Sequence, residues 1–133
     1  MASRNLRLTA PQPSEAAEQT ALLRWAMIAQ RRYPVLRWLL AIPNGLAASS
    51  VGAARRMKEQ GMKAGVPDLF LPAQTKNYAG LWIEMKRRDG GKVFKAQAEW
   101  HQYLALAGYK VVVCHGWAAA ANVIDTYLNE DKR

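Results

Sequence analysis

Three charged residues stand in or beside two short apolar runs that have the length of buried β-strands. Asp68 opens the first run, which ends at Leu71. Glu84 and Lys86 lie two residues apart in the second run, residues 81–86. Side chains alternate along a strand, so these two point to the same face. Because a buried strand tolerates charge only when the charge has a partner, the spacing predicts that an acid on one strand faces an acid and a lysine on the next.

Such a set has the chemistry of a divalent-cation site. Mg²⁺ prefers carboxylate oxygens, usually one or two from protein, with water and phosphate in the remaining positions. Asp68 and Glu84 are the candidate ligands, and the Met85 backbone carbonyl can add an oxygen. A metal placed there lowers the pKa of a bound water and stabilises charge on a phosphate, while Lys86 can orient or deprotonate that water. The set indicates metal-dependent phosphodiester hydrolysis; the alternative is a structural ion pair, which contributes little net stability.

The charge of the whole chain favours a polyanionic partner. There are 19 basic and 10 acidic residues among 133, a net charge of +9. Clustered Lys and Arg side chains increase affinity for a polyanion, because they neutralise its phosphates and release counterions. The basic residues flank the predicted site on both sides, and they are either phosphate contacts that do not read sequence or solvated surface charges. The candidate DNA-binding residues are Arg55, Arg56, Lys58 and Lys63 before Asp68, and Arg87, Arg88, Lys92 and Lys95 after Lys86.

Length and composition exclude several classes of protein. The chain is long enough for one domain with its own core, and its 50% hydrophobic and 22% charged residues are ordinary for a globular protein. Its apolar runs are shorter than the roughly 18–20 residues that cross a bilayer. A single cysteine, Cys114, excludes an internal disulfide and a multi-cysteine zinc site. We expect a cytoplasmic protein with a flexible N-terminal arm at 1–13 and one domain at 14–133.

The remaining elements follow from apolar periodicity, helix caps and breakers. Ser14 is a plausible helix N-cap, Tyr33 precedes a proline and so disfavours helix, and Gly108 is a typical helix stop. The elements expected around the two central strands are a helix from Ser14 to about Arg32, a strand over 36–42, a short helix from Ser49 or Ser50 to Gln60, a helix over 94–107, a strand over 109–114 and a helix over 117–129.

Two of these helices carry polar residues on faces expected to be buried. Glu18 lies one turn before Leu22 on the apolar stripe of the first helix; it either faces the core or complements the helix dipole in solvent. Gln97 and His101 share a face of the third helix with apolar residues that include Phe94. Buried polar groups need hydrogen-bond partners, and the acidic face of the sheet would supply them. For His101 we expect a structural role. For Gln97 a structural role and a role in the chemistry of the site both stay open.

The chain also resembles a family. Pro67-Asp68 followed by Glu84-Met85-Lys86 resembles the PD-(D/E)XK nuclease motif. More specifically, most of residues 14–130 resembles the VRR-NUC (virus-type replication-repair nuclease) group. The resemblance implies an α/β fold of the order αβ(α)ββαβα, a restriction-endonuclease-like core with a central mixed β-sheet flanked by helices. The stretches that carry it are Ser14-Glu15 through Glu18-Gln19, Ile42-Pro43-Asn44-Gly45, Gly61 through Leu71, Gly80 through Lys86, Gln97, and Gly108-Tyr109 through Val113.

The resemblance assigns roles to matching positions. It implies that Asp68 and Glu84 bind Mg²⁺, with Mn²⁺ able to substitute, and that Lys86 is the third catalytic residue. Gln97 corresponds to the helix glutamine that supports the site. Glu18 corresponds to the first-helix acid that approaches it, a candidate metal ligand directly or through water.

The type of relative implies a substrate and a setting. The chain resembles the small stand-alone members found in phages and bacteria, which implies a homodimeric endodeoxyribonuclease in the bacterial cytoplasm, acting in DNA repair on duplex or branched DNA such as four-way (Holliday) junctions. Asn44, in the turn after the first strand, is then a candidate DNA contact. Two alternatives stay open: a non-catalytic DNA-binding module on the same fold, and an RNA-processing nuclease.

Overall fold

The computed structural model describes residues 11–43 and 50–132, in which α-helices and β-strands alternate. This order confirms the predicted α/β class. No helix within the described ranges is long and apolar enough to cross a membrane. In chain order the elements are α1 (Glu15–Ala29), a 3₁₀ helix (Pro34–Trp38), β1 (Leu40–Ala41), α2 (Val51–Glu59), β2 (Leu69–Leu71), β3 (Leu81–Lys86), α3 (Lys95–Leu106), β4 (Lys110–His115), α4 (Trp117–Asn129) and a 3₁₀ turn (Glu130–Lys132).

The central sheet has four strands in the spatial order β1-β2-β3-β4. β1 and β2 are antiparallel, as are β2 and β3, whereas β3 and β4 are parallel. A parallel pair needs a crossover connection, and α3 supplies it. In the register of the sheet, Leu69 lies opposite Ile83 and Glu84 lies opposite Val113. The sheet is therefore mixed, as the family resemblance implied.

The two faces of the sheet differ in what they bury. One face presents alternate apolar residues of β2 and β3, which pack against α1 and α4 to form the core. The opposite face carries Glu84 and Lys86 of β3, both buried, and His101 and Gln97 of α3 approach those two side chains. Alternation along β3 thus separates the core from the acidic face. The core face comprises Leu69, Leu71, Leu81, Ile83 and Met85, with Leu22 and Ala26 of α1 and Ala120, Ile124 and Tyr127 of α4.

The first strand is much shorter than predicted. Residues 34–38 form a 3₁₀ helix, and only Leu40 and Ala41 pair with β2. Pro34, whose φ is fixed near the helical value, starts that helix, and its turn buries Leu36 in the core. The prediction of a strand from residue 36 was wrong because burial of Leu36 against the helices prevails over the β-like apolar run. β1 still reaches the site, because the Ile42 amide donates to the Asp68 carbonyl oxygen at 2.8 Å.

The helices begin close to their predicted positions. Ser14 Oγ accepts from the Ala17 amide at 3.1 Å, and Ser50 Oγ accepts from the Ala53 amide at 3.0 Å, so each serine caps its helix as expected. α3 begins one residue after Phe94, whose side chain is 61% exposed. The sequence had placed this ring on the buried face of α3, and that prediction was wrong.

Only the end of the predicted N-terminal arm lies in the described part of the chain. The Gln12 side chain makes two hydrogen bonds with the backbone of Asp89. Its Nε2 donates to the Asp89 carbonyl at 2.9 Å, and its Oε1 accepts from the Asp89 amide at 3.0 Å. Gln12 is therefore held against the loop that follows β3.

Candidate active site

The side chain of Asp68 is held at the start of β2 by a hydrogen bond from the backbone of β3. It comes directly before β2, and its Oδ2 accepts from the Met85 amide at 2.7 Å. This bond extends the pairing of β2 and β3 beyond the Leu69–Ile83 pair, with the Asp68 side chain as acceptor where a backbone carbonyl would otherwise accept. The N–H and C=O groups of one strand residue point to the same edge, so the Met85 carbonyl is also directed towards Asp68.

Glu84 is a buried acid next to a second acid. Its side chain is 1% exposed, and its Oε1 has no hydrogen-bond partner among the described residues. Burial is the largest of the effects that together raise the pKa of Glu84 to about 9. Hydrogen bonding to Asp68 and the charge of Asp68 act in the same direction, and the charge of Lys86 opposes them. Two carboxyl groups this close do not both ionise readily. At neutral pH and without a cation, Glu84 is therefore protonated.

This pair fits a divalent cation. A cation between the two acids would replace the proton on Glu84, and it would give the unpartnered Glu84 oxygen a partner. No group of three or more His, Cys, Asp or Glu side chains suited to a metal occurs in the described ranges. Two carboxylates supplemented by backbone, water and phosphate oxygens suit Mg²⁺, which keeps several waters, better than a metal that needs an all-protein cage.

Lys86 and Gln97 form the polar contact predicted between β3 and α3. Lys86 is 3% exposed, and its Nζ donates to Gln97 Oε1 at 3.2 Å. The same oxygen accepts from the Phe94 amide at 2.9 Å, which fixes the glutamine at the start of α3. The stem of Lys86 lies against Gly91, where an added Cβ would stand 3.3 Å from the lysine Cδ. The ammonium group is thus held in one place beside the acidic pair.

His101 approaches the same acid from α3. Its Nε2 lies 3.8 Å from Glu84 Oε1, and neither atom has a hydrogen-bond partner within the described chain. Burial lowers the pKa of His101, and the positive charge of Lys86 lowers it further. Both effects favour the neutral imidazole, and the charge of Asp68 opposes them.

Glu18 lies elsewhere than the acidic pair. It is 1% exposed; its Oε1 accepts from Arg88 Nε at 2.8 Å and its Oε2 accepts from the Trp117 amide at 2.6 Å. The carboxylate therefore sits at the N-terminus of α4, where the helix dipole favours negative charge. The structure places Glu18 as a bridge between α1, the loop after β3 and α4. Its contact with a metal remains a prediction.

A different acid of α1 shares the electrostatic environment of the site. Burial raises the pKa of Glu15, and the charges of Lys86, Asp68 and Arg87 also act on this carboxyl group. Sequence reasoning chose Glu18 because that residue lies on the apolar stripe. The sequence feature that could have pointed to Glu15 is its position next to the helix cap Ser14, within the stretch that resembles the nuclease family.

The predicted DNA contacts divide into three groups. Arg87, Lys92 and Lys95 are exposed in and after the loop that follows β3, next to Lys86. Arg88 is also exposed, but its Nε is committed to Glu18. A third group, exposed on or just after α2, comprises Arg55, Arg56, Lys58 and Lys63. Asn44 lies outside the described residues.

Together, the mixed sheet, the acid before β2 and the acid and lysine of β3 are the features of a nuclease domain of the PD-(D/E)XK type. The VRR-NUC domain family matches residues 14–118. The chain belongs to that family.

A solved structure supports the same assignment. A protein described as a VRR_NUC domain protein shares 29% sequence identity with this chain and superimposes with a TM-score of 0.74. The match covers 89% of this chain and 90% of that one. No match was found among curated proteins.

Proposed function

We propose that this protein is a Mg²⁺-dependent endodeoxyribonuclease, with Mn²⁺ able to substitute, that cuts branched DNA such as four-way junctions. The observation that carries the proposal is the acidic pair: Glu84 is buried against Asp68, has an unpartnered oxygen, and lies two residues from the fixed Lys86. Two acids that repel phosphate serve no purpose in a protein that only binds DNA. This argument favours the enzyme over a non-catalytic module.

Each residue of the site has a distinct task in this proposal. Asp68, Glu84 and the Met85 carbonyl would hold the metal, which supplies Lewis-acid activation of water and stabilisation of phosphate charge. Lys86 orients the attacking water and screens the phosphate, and Gln97 holds the Lys86 ammonium in position. Glu15, on the approach from α1, adds a negative charge near the water and the lysine.

The substrate and assembly rest on charge and family together. The net charge of +9 favours a polyanion, and the exposed cations after β3 and on α2 can hold phosphates on either side of the site. The preference for branched DNA comes from resemblance to the small stand-alone members of the family. Symmetric cutting of a junction needs two sites and one chain supplies one, so we propose a homodimer.

Cleavage of a substrate panel tests the enzyme. We expect wild-type protein with Mg²⁺ to cleave four-way DNA faster than flap, duplex or single-stranded DNA, and Lys86→Ala to lose at least ~100-fold in rate, the range for loss of a proton-transfer group. Lys76→Ala is the matched control, because Lys76 is exposed in the connection at the opposite end of β3. If wild type and Lys86→Ala bind DNA equally and neither cleaves, the protein is a binding module. Faster cleavage of matched RNA would assign an RNA nuclease instead.

A further inference from the structure

An aromatic ring is exposed at the edge of the site. The Phe94 side chain is 61% exposed and that of its neighbour Val93 is 44% exposed. Burial of a phenylalanine side chain normally stabilises a fold by about 1.5–3 kcal/mol, so an exposed ring beside the site suggests a partner. Single exposed apolar side chains are common on protein surfaces; the position of this one distinguishes it.

The backbone of Phe94 and the catalytic lysine donate to the same side-chain oxygen. The Phe94 amide donates to Gln97 Oε1, the oxygen that also accepts from Lys86 Nζ. Lys86 Nζ stands 5.6 Å from the centroid of the Phe94 ring. The ring therefore borders the place where a phosphate must lie for Lys86 to act on it.

The surroundings of the ring are positively charged. Lys92 and Lys95 flank it in sequence, and Arg87 lies across a turn formed by Gly90 and Gly91. Both glycines have positive φ, 84° and 89°, which a side chain would strain. An apolar ring among exposed cations is complementary to a single nucleic-acid strand, because cations hold the backbone while aromatic faces stack on bases.

On this basis we infer that Phe94 stacks on an unpaired DNA base next to the phosphate that is cut. The inference rests on the proposed nuclease function and deepens it by naming what the site recognises in branched DNA. Bases at a branch point unstack at lower cost than bases inside a duplex. The ring would therefore select phosphates beside such bases, and fully paired DNA, which offers no free base face, would gain nothing from it.

A double-mutant cycle between protein and DNA tests the stacking contact. Affinity is measured by fluorescence anisotropy in EDTA, so that no cleavage is required. The DNA is a four-way junction in which each base at the branch is replaced in turn by an abasic site. For wild type, we expect one such replacement to weaken binding about 5- to 150-fold, the range for one stacked base. For Phe94→Ala, the same replacement should have no further effect, because the partner is already missing.

Two further variants separate stacking from damage to the fold. Phe94→Tyr keeps a ring and should retain wild-type affinity, whereas Phe94→Leu keeps apolar bulk without a ring and should behave like Phe94→Ala. Tyr103→Ala is the control, because Tyr103 is an aromatic residue that is 64% exposed on α3 but lies away from the end of that helix near Lys86. The affinity of this variant should match that of wild type. Phe94→Leu carries the test if the alanine variant does not fold.

Several results would overturn the inference. One is an equal loss of affinity by Phe94→Ala for junction and perfect duplex; another is an abasic effect that persists in that variant. A change from dimer to monomer in Phe94→Ala would show that a second copy covers the ring. The two proposals can fail separately. If the double-mutant cycle gives the expected result but wild type does not cleave DNA, only the nuclease proposal is refuted. If wild type cleaves DNA but substitution of Phe94 has no effect, only the stacking proposal is refuted.

Discussion

At the scale of single residues, Glu84 shows how function and stability compete. Its carboxyl group is buried beside Asp68, and no hydrogen-bond donor among the described residues reaches its Oε1. A buried polar group without a partner costs free energy. The fold tolerates this cost beside a second acid, where a cation would remove it, which is the behaviour expected of a site kept for chemistry.

The pKa of Glu84 predicts how stability depends on pH. Its pKa of about 9 in the folded protein lies above the ordinary 4.5, so between these values the folded state binds a proton that the unfolded state lacks. The contribution of Glu84 to the free energy of unfolding is therefore full at low pH and is lost as the pH rises towards 9. Glu84→Gln removes the dependence. In EDTA at pH 8 we expect its melting temperature to exceed that of wild type.

Thermal unfolding in EDTA across pH 5–9 measures this effect. Glu59→Gln is the control, because Glu59 is an exposed acid at the end of α2; its pH profile should follow that of wild type. A Glu84→Gln variant that melts below wild type at pH 8 would contradict the burial argument. Such a result would indicate that the glutamate stabilises the fold.

At the scale of elements, the site depends on how closely the loop before β2 approaches α3. Gly65 has φ of 89°, and a Cβ at this position would stand 2.6 Å from the backbone carbon of Ala96. The contact is with helix backbone, which moves less readily than the end of a flexible side chain. This close approach sets the distance between the Asp68 segment and the helix that carries Gln97.

Gly65→Ala therefore tests the loop–helix contact. Both Gly65 and Gly61 have positive φ, but an added Cβ at Gly61 meets nothing within 4 Å among the described residues. Gly61→Ala should cost about 1–2 kcal/mol from backbone strain alone. Gly65→Ala should cost about 1–3 kcal/mol more, because the methyl group forces α3 outward. Urea unfolding compares the two variants; equal losses would mean that the loop is not pressed against the helix.

The Glu18 contacts also belong to this scale. By accepting from Arg88 and from the first amide of α4, Glu18 joins α1, the loop after β3 and α4 at one point. Gly116 allows this approach: a Cβ there would stand 2.9 Å from Arg88 Cγ and 3.3 Å from Glu18 Oε2. The position of the loop that carries Arg87 is thus linked to the packing of two helices on the core face.

At the scale of the whole molecule, the positive charge controls encounter with DNA. Each phosphate neutralised by a cation contributes about 0.9 to the slope of log affinity against log salt concentration. Arg87 is exposed immediately after Lys86, and its charge acts on Glu15 together with the charges of Lys86 and Asp68. We expect Arg87→Ala to reduce that slope by about 0.9 and to weaken binding similarly for all sequences.

Anisotropy titrations between roughly 50 and 200 mM salt, where such slopes are measurable, provide the comparison. Lys76→Ala, at the far end of β3, is the control and should leave the slope unchanged. An unchanged slope for Arg87→Ala would place the phosphate track elsewhere, for example along the exposed cations of α2.

Much of the fold was predictable because its signals are local. Ser14 and Ser50 as caps, Gly108 as a helix stop and the limits of α4 are each set by residues within a few positions of one another. The pairing of Asp68 with Glu84 and Lys86 also followed from the sequence, because period-two alternation on adjacent strands determines which side chains share a face.

Other features were decided only by packing between distant segments. The 3₁₀ helix in place of a strand depends on where Leu36 finds its core neighbours, and the exposure of Phe94 depends on how α3 is rotated over the sheet. The contacts of Glu18 depend on the same kind of packing, since its carboxylate accepts from the amide of Trp117, 99 residues along the chain. By itself the sequence determined which charged residues share one face of the sheet, because residue type and alternation are local properties. The tertiary structure decided which helix residues reach that site, because rotation of a helix about its axis is set by the surface it packs on.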